Sequence, residues 1–181
     1  LFDEVDTIWR VRGKDDTNED LRAIQVRPDV LVFTSSPLES PLNIIGRIKA
    51  ELYVSTSARD TDFVARLSDV HPEGYAQRLN HGILRLRFRN GYEKVELVKP
   101  GEVVRIEVDL WGTGHQVQPG HCLRLEVTSS GYPVWAPNYN TGEDIWEETT
   151  PVVATNTVHH SVQYPSRLIL EEVEKPTFIE P

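Results

Sequence analysis

Residues 48–74 read IKAELYVSTSARDTDFVARLSDVHPEG, and this stretch decides the fold. Its first half alternates apolar and polar side chains with the two-residue period of a strand that has one buried face. After a polar connection the same alternation returns in Phe63, Ala65 and Leu67, and a Pro and a Gly then end the second run. The apolar positions of the first run are Ile48, Ala50, Leu52 and Val54. Two such strands in succession predict the start of a β-sandwich.

Much of the remaining sequence repeats this pattern. Short apolar or alternating runs are separated by turn signals such as Asn90-Gly91. A type II turn is predicted at 118–121, where Pro and Gly hold the two central positions. The further predicted strands cover residues 29–34, 83–89, 92–97, 104–110, 123–128, 152–158 and 167–170. About nine or ten short strands without a long helix predict an all-β fold, a jelly-roll β-sandwich of two antiparallel sheets.

The length of 181 residues fits one domain with a tail. We predict an N-terminal extension or linker over residues 1–27 and the sandwich over residues 28–173. A charged, proline-bearing C-terminal tail is predicted over residues 174–181. Leu1 is not a start methionine and the sequence contains no Met, which indicates a fragment or a processed product.

The net charge of -9 argues against partners that present phosphates, namely nucleic acid and anionic membrane surfaces. No apolar run approaches the ~20 residues of a membrane-spanning helix, and no signal segment opens the sequence. Cys122 is the single cysteine and forms no internal disulfide, so nothing marks an oxidising compartment. We therefore expect no nucleic-acid and no membrane partner. The location stays open, with the cytoplasm slightly favoured.

The sequence lacks the motif of a nucleophile elbow. A Gly-x-Ser-x-Gly segment after a strand exposes a serine on a sharp turn, but no Gly here is followed two residues later by Ser. Ser129 and Ser130, before Gly131, are interpreted as polar groups at a strand end. The Gly pair at 112–114 follows a strand but opens no helix, so it is not a nucleotide loop. We predict no catalytic residue in this sequence.

Six histidines raise the question of a metal site. His159 and His160 are neighbours on a predicted strand and point to opposite faces, so they cannot bind one ion together. His115 and His121 flank the predicted type II turn and are able to approach each other across a hairpin. Two imidazoles still lack the third and fourth ligands that zinc usually takes. We predict ordinary surface or hydrogen-bonded histidines, no metal site and no cofactor.

Four acidic residues near one another in sequence leave two interpretations open. Asp60 and Asp62, with Asp69 and Glu73 further on, carry the carboxylates that calcium prefers, although they do not form an EF-hand loop. Solvated side chains at strand ends explain the same residues equally well.

Arg85, Arg87 and Arg89 form a row on one face of a predicted strand. Such a row is able to bind an anionic ligand. Acidic residues on a neighbouring strand, such as Glu107 and Asp109, would instead turn it into a cross-strand charge ladder. Because the net charge is negative, we predict the ladder.

The loop that follows residue 128 is the most distinctive feature of the sequence. It places four aromatic residues among Pro, Asn and Gly, and these are our candidate site residues: Tyr132, Trp135, Tyr139 and Trp146. Aromatic side chains on a loop anchor a protein interface, stack on a sugar or fold inward to seal the end of the sandwich. All three interpretations remain open.

The order of these segments resembles the C-terminal domain of the X-Pro dipeptidyl-peptidase and cocaine-esterase family of serine hydrolases. The resemblance extends from about residue 27 to residue 170. It is carried by DVLVFTSSPLESPLNIIGRIKAELYVSTSARDTDFVARLSDVHPEG, GILRLRFR, PGEVVRIEVDLWGTGHQVQPGHCLRLEVTSSGYP and NTVHHSVQYPSRLIL.

The resemblance implies a jelly roll of the galactose-binding-like type. In that family the jelly roll follows an α/β-hydrolase domain that holds the Ser-His-Asp triad, so no triad residue is carried over to this sequence. We expect a non-catalytic module whose partner is the α/β-hydrolase domain of the same parent protein. It would stabilise that domain, line its cleft or build a homo-oligomer. The alternatives are a stand-alone carbohydrate-binding module using Tyr132, Trp135 and Trp146, and a purely structural dimerisation domain.

Overall fold

The computed structural model describes residues 20–174, which form eight strands and two short helical segments. The bounds are α1 (Arg22–Gln25), β1 (Leu31–Thr34), β2 (Leu42–Thr56), β3 (Asp62–Val70), β4 (Ala76–Arg85), a 3-10 turn (Leu86–Phe88), β5 (Val104–Val117), β6 (Cys122–Thr128), β7 (Asn156–His159) and β8 (Arg167–Glu172).

The strands form two antiparallel sheets, which confirms the predicted jelly-roll β-sandwich. The first sheet has the order β1-β6-β3-β4. In the second sheet, β5 pairs with one edge of β2, and β7 and β8 share the other edge. β7 pairs with residues 53–56 of β2, and β8 pairs with positions between 44 and 51. β2 is therefore the strand around which the second sheet is built.

The core lies between the sheets, where the alternation predicted it. The inward side chains of β2, from Ile48 to Val54, are at most 1% exposed, and they face Phe63, Ala65 and Leu67 of β3. Removal of this apolar surface from water stabilises the sandwich by roughly 25 cal/mol per Å². The predicted type II turn is also confirmed, because Gly120 has φ +83° and the His121 N–H donates to the Gln118 carbonyl at 3.1 Å.

Several predicted strand assignments differ from the structure; β5, for example, continues to Val117 and does not end at residue 110. β4 begins at Ala76 and not at residue 83, because the edge strand of a sheet needs no apolar alternation to pair. It ends at Arg85, since the Asp60 carboxylate accepts the Arg87 backbone N–H at 2.8 Å and diverts the chain into the 3-10 turn. Residues 92–97 form no strand, and β7 begins at Asn156 and not at residue 152.

Part of the predicted N-terminal extension packs on the sandwich. Leu21 is 1% exposed and contacts Val70 and Ala76. Its backbone N–H donates to the Ala76 carbonyl at 3.0 Å. The other residues of the predicted extension, 1–19, and most of the predicted tail, 175–181, lie outside the described residues. The predicted domain boundaries stay a prediction.

Within residues 20–174, no helix has the length and apolar composition needed to cross a membrane.

Candidate functional site

A buried charged network lies where β2 passes into β3. Asp60 and Asp62 are 0% and 2% exposed. Arg85 faces Asp62 across the β3–β4 ladder and donates two hydrogen bonds to its carboxylate, at 2.9 and 3.0 Å. Arg87 binds Asp60 through Nε at 2.6 Å. The hydrogen bond to Asp62 raises the pKa of Arg85 above its ordinary value, so the Arg85 guanidinium stays charged.

The same network holds the long loop, residues 129–155, against the sandwich. The side-chain amide of Asn138 donates to Asp60 Oδ2 at 2.9 Å and to Asp62 Oδ1 at 2.8 Å. Arg87 Nη1 donates to the Glu143 carbonyl at 2.9 Å, and its guanidinium also lies 3.7 Å from the Glu148 carboxylate. Buried polar groups that are hydrogen-bonded in this way favour one arrangement of the chain. The long loop is therefore fastened at its centre as well as at its ends.

The predicted arginine ladder is wrong. Arg85 and Arg87 leave the predicted row because the strand ends between them, and both bind aspartates at the head of β3. Arg89 donates to the Glu96 backbone carbonyl and lies 3.7 Å from the Glu96 carboxylate. Glu107 and Asp109 do take part in a cross-strand ladder, but with β2: Glu107 pairs with Lys49 at 2.7 Å and Asp109 with Arg47 at 3.4 Å.

The interpretation of the acidic residues as solvated strand ends is wrong for three of the four. Asp60, Asp62 and Asp69 are at most 2% exposed, and Glu73 is the exposed one. The calcium interpretation also loses support at Asp60 and Asp62, since their carboxylates already accept hydrogen bonds from arginine and Asn138.

The four candidate aromatic residues of the long loop lie in different environments. Trp135 is half-buried against Gly131 and meets the His81 ring edge-on, with ring centroids 5.0 Å apart. Tyr139 is half-buried, and its carbonyl accepts the Val152 N–H at 2.8 Å. Tyr132 is 38% exposed and Trp146 is 89% exposed. Trp135 thus packs on β4 through His81, Tyr139 is half-buried within the loop, and Trp146 projects into solvent.

Trp146 is joined by other exposed apolar residues of the same loop. They are Val134 (64% exposed), Ile145 (43%), Val152 (50%) and Val153 (93%). We call these four residues and Trp146 the apolar loop set. Water contacts all five, although the loop that carries them is held by buried ion pairs. An exposed tryptophan on a fixed loop is a candidate anchor for an interface.

None of the four aromatic residues lines the apolar cavity of about 330 Å³ that opens between the sheets. That cavity lies between β1 and β6 on one side and β2, β7 and β8 on the other, with Phe33, Leu52 and Leu168 among its lining residues. Tyr132 lines a separate cleft of about 30 Å³, far below the ~300 Å³ of ordinary ligand pockets.

His159 and His160 are oriented as the strand pattern predicts, and the Asp69 carboxylate links His115 to His121. His159 and His160 point to opposite faces: His159 Nε2 lies 2.9 Å from Ser55 Oγ, while His160 packs edge-on against Phe33. His115 and His121 do approach each other, since both bind Asp69.

No Ser-His-acid arrangement occurs in the part of the chain that the structure describes. Ser55 and His159 form a serine–imidazole pair, but no carboxylate there is hydrogen-bonded to that imidazole. The imidazoles bound to Asp69 have carboxylate partners, but no serine or cysteine hydrogen-bonded to them in residues 20–174. Two stacked antiparallel sheets of this kind define a jelly-roll β-sandwich domain.

The chain belongs to the family of X-Pro dipeptidyl-peptidase C-terminal non-catalytic domains, whose family model matches residues 2–169. Among curated proteins, it is 34% identical to the cocaine esterase of Rhodococcus sp. (strain MB1 Bresler) over 97% of this chain and 32% of the esterase. The chain therefore spans about a third of that relative's length.

Solved structures show the same fold. An α-amino acid ester hydrolase matches with a TM-score of 0.83 and 31% identity over 87% of this chain and 28% of the hydrolase. An aminopeptidase from a marine sediment archaeon, Thaumarchaeota archaeon, matches with a TM-score of 0.83 and 28% identity over 90% of this chain and 29% of that protein. A CocE/NonD family hydrolase from Staphylococcus aureus shares the fold with a TM-score of 0.66 and 18% identity, over 80% of this chain and 30% of the hydrolase.

Proposed function

We propose that this chain is the C-terminal module of a larger serine hydrolase and that the module docks on an α/β-hydrolase catalytic domain through its long loop. The observation that carries the proposal is Trp146, which is 89% exposed on a loop held by a buried charged network. In this proposal the bond-breaking serine, histidine and acid lie on the catalytic domain. The parent enzyme hydrolyses an ester or a peptide bond.

The lengths of the relatives support a partner domain in the same polypeptide. The chain covers 28% and 29% of the two solved relatives with the higher TM-scores, and their names describe an ester hydrolase and an aminopeptidase. The remaining length of such proteins is ample for a catalytic domain.

The chemistry of the apolar loop set supports docking by this face. Tryptophan has a large contact area and few rotamers to immobilise, so it dominates the energetics of many interfaces. The loop pays little entropy on docking, because Asn138 and Arg87 already hold it. An interface between two domains of one chain typically buries about 600–1,500 Å². In this proposal the apolar loop set lies at the centre of that interface.

Separate expression of the two parts tests this proposal. The 181-residue chain and the catalytic part of its parent, taken from the upstream reading frame, are purified and mixed in a calorimeter. Trp146→Ala should weaken binding by about 2 kcal/mol, which is roughly 30-fold in Kd. The matched control is Val162→Ala, because Val162 is also fully exposed but lies outside the long loop.

Three results would contradict docking by the long loop. The first is an affinity that Trp146→Ala leaves unchanged. The second is a homodimer, seen by light scattering, that Trp146→Ala dissociates, since a second copy would then occupy the face. The third is sugar-dependent retention on a glycan array that Trp135→Ala removes, which would favour a stand-alone carbohydrate-binding module.

A further inference from the structure

A second polar cluster lies at the other end of β3. Asp69 is seven residues after Asp62, about 23 Å along the strand at 3.3 Å per residue. Its side chain is 3% exposed. Around it lie His71, His115 and His121, contributed by three different segments of the sandwich.

Strand register explains why these residues meet. Val70 pairs with Cys122 in the β3–β6 ladder, so the next antiparallel pair brings His71 opposite His121. Alternation along β3 then puts Asp69 and His71 on one face, the face of Leu67 in the core.

The second sheet supplies His115. This residue pairs with Ile44 of β2, which is fully buried, and cross-strand partners share a face. Trp111, with φ +67°, interrupts the alternation of β5, and the inward positions therefore change from Leu110 to Val117. Because of this interruption, His115 points toward the first sheet.

The cluster has the geometry of a ligand set. Asp69 Oδ1 lies 2.8 Å from His121 Nδ1, and Asp69 Oδ2 lies 2.9 Å from His115 Nε2. The His71 and His121 rings are 4.3 Å apart between centroids. One ligand atom from each of Asp69, His71 and His121 falls within 4.8 Å of the other two.

We propose that Asp69, His71 and His121 bind a divalent transition metal ion of the zinc class. Zinc–ligand bonds of about 2.0–2.2 Å separate tetrahedral ligands by about 3.4 Å, so side-chain shifts of about 1.5 Å or less complete the site. Two imidazoles and one carboxylate suit zinc and its neighbours, whereas calcium and magnesium require mostly oxygen ligands. Water takes the fourth position.

Two further residues hold the ligands in place. His115 binds the second oxygen of Asp69, and Glu73 lies 3.4 Å from His71 Nδ1. Outer partners of this kind orient metal ligands and fix the imidazole tautomer. The ion can enter from solvent, because the His71 and His121 side chains are 27% and 15% exposed. Binding would join the turn after β3 to the turn between β5 and β6.

Calorimetry on the 181-residue chain, stripped of metal by a chelator, tests the proposal. We expect one equivalent of Zn²⁺ to bind, Mg²⁺ not to compete, and Co²⁺ to give a visible absorption band from a low-symmetry site. His71→Ala and His121→Ala should each abolish the stoichiometric binding. His115→Ala should weaken it by about 10–100-fold, the effect of losing an outer partner. His160→Ala is the matched control and should bind zinc as the unaltered chain does.

The proposal is overturned if no stoichiometric zinc binding occurs, or if binding survives both His71→Ala and His121→Ala. Equal binding of Mg²⁺ would also overturn it. Asp69→Asn is not needed for the test, because changing that buried residue risks unfolding the chain. His71 is more exposed, and circular dichroism is used to check that its variant folds. The assay involves no catalytic domain, so its outcome is separate from that of the docking experiment.

Discussion

The side-chain amide of Asn138 connects two buried carboxylates, and without it each of them would lose one hydrogen-bond donor. Asp60 Oδ2 and Asp62 Oδ1 each accept one of its N–H groups. Its own carbonyl oxygen accepts the Asn140 backbone N–H at 2.8 Å. Asn138 therefore makes three of the hydrogen bonds that hold the long loop in place.

We predict that Asn138→Ala lowers the free energy of unfolding by about 1.5–3 kcal/mol, the range for hydrogen bonds to charged groups. Urea denaturation measures this loss, and limited proteolysis should show faster cleavage within residues 129–155. Asn90→Ala is the control, because Asn90 makes one exposed hydrogen bond, to Glu96. An Asn138→Ala chain as stable and as resistant as the control would show that the network does not hold the loop.

Glu126 is a carboxylate buried without a cation in hydrogen-bonding contact. It is 0% exposed, accepts one hydrogen bond from Gln25 at 2.5 Å, and leaves its second oxygen without a partner among the described residues. Burial raises the pKa of Glu126 above its ordinary value of 4.5, against the smaller opposing effects of Gln25 and the nearby Arg66 and Arg124 charges.

This raised pKa predicts a pH dependence of stability. The native state binds the Glu126 proton more tightly than the unfolded chain does. The stabilisation that this proton gives is therefore complete below pH 4.5 and is lost as the pH rises through the native pKa. In Glu126→Gln that loss should be absent. Urea midpoints measured from pH 4.5 to neutrality should show the variant gaining on the unaltered chain as pH rises. Parallel curves for the variant and the unaltered chain would contradict the prediction.

Among individual residues, core positions could be predicted from the sequence and side-chain partners could not. The two-residue period predicted correctly that Phe63 and Leu52 lie in the core, since burial of alternating residues needs no knowledge of a partner strand. The arginine partners could not be found in this way, because they depend on register: Asp62 lies opposite Arg85 only in the β3–β4 alignment that the structure shows. A usable signal was nevertheless present, in the spacing of two acids at 60 and 62 and two arginines at 85 and 87.

At the scale of elements, β4 depends on a glycine where the two sheets approach each other. A Cβ at Gly82 would lie 1.9 Å from the backbone carbonyl oxygen of Asp109 in β5. Non-bonded heavy atoms do not come this close. The atom that the Cβ would meet belongs to the backbone, so it cannot rotate away as the end of a flexible side chain can. The close approach of β4 and β5 thus requires a residue without a side chain.

We predict that Gly82→Ala destabilises the sandwich by about 3 kcal/mol or more, the upper range for overpacking. Thermal unfolding followed by circular dichroism measures the effect. Gly114→Ala is the matched control on β5, since its Cβ would meet nothing within 4 Å, and we expect a change within about 0.5 kcal/mol. Similar melting curves for the two variants would mean that the sheets separate at this point without cost.

The strands differ in how clearly the sequence predicts them. β2, β3, β5 and β6 alternate apolar and polar side chains because one face of each packs into the core, and the sequence predicted all four. β5 does so although it is an edge strand. β4 was predicted too short, since Gln77, Arg78 and Asn80 read as a polar connection. An edge strand with partly exposed faces carries little periodic signal, and its backbone pairing with β3 is visible only in three dimensions.

At the scale of the whole molecule, the sandwich was predictable and the candidate site was predictable in part. The long loop was recognised from its aromatic residues, and the family from the order of its segments. The division of those aromatics into Trp135, which covers the sandwich, and Trp146, which projects from it, depends on how Asn138 folds the loop back. The galactose-binding-like classification stays a prediction, and the carbohydrate-binding alternative stays open.

We predict that this chain has no catalytic activity of its own, as expected for a member of a family of non-catalytic domains. A fluorophosphonate probe, which labels activated serines, tests it most directly on the purified 181-residue chain, with p-nitrophenyl ester hydrolysis measured in parallel. We predict neither labelling nor hydrolysis by this chain, and both by the catalytic part of its parent under the same conditions. Stoichiometric labelling of this chain that Ser55→Ala removes would contradict the account, because Ser55 and His159 would then be a working nucleophile and base.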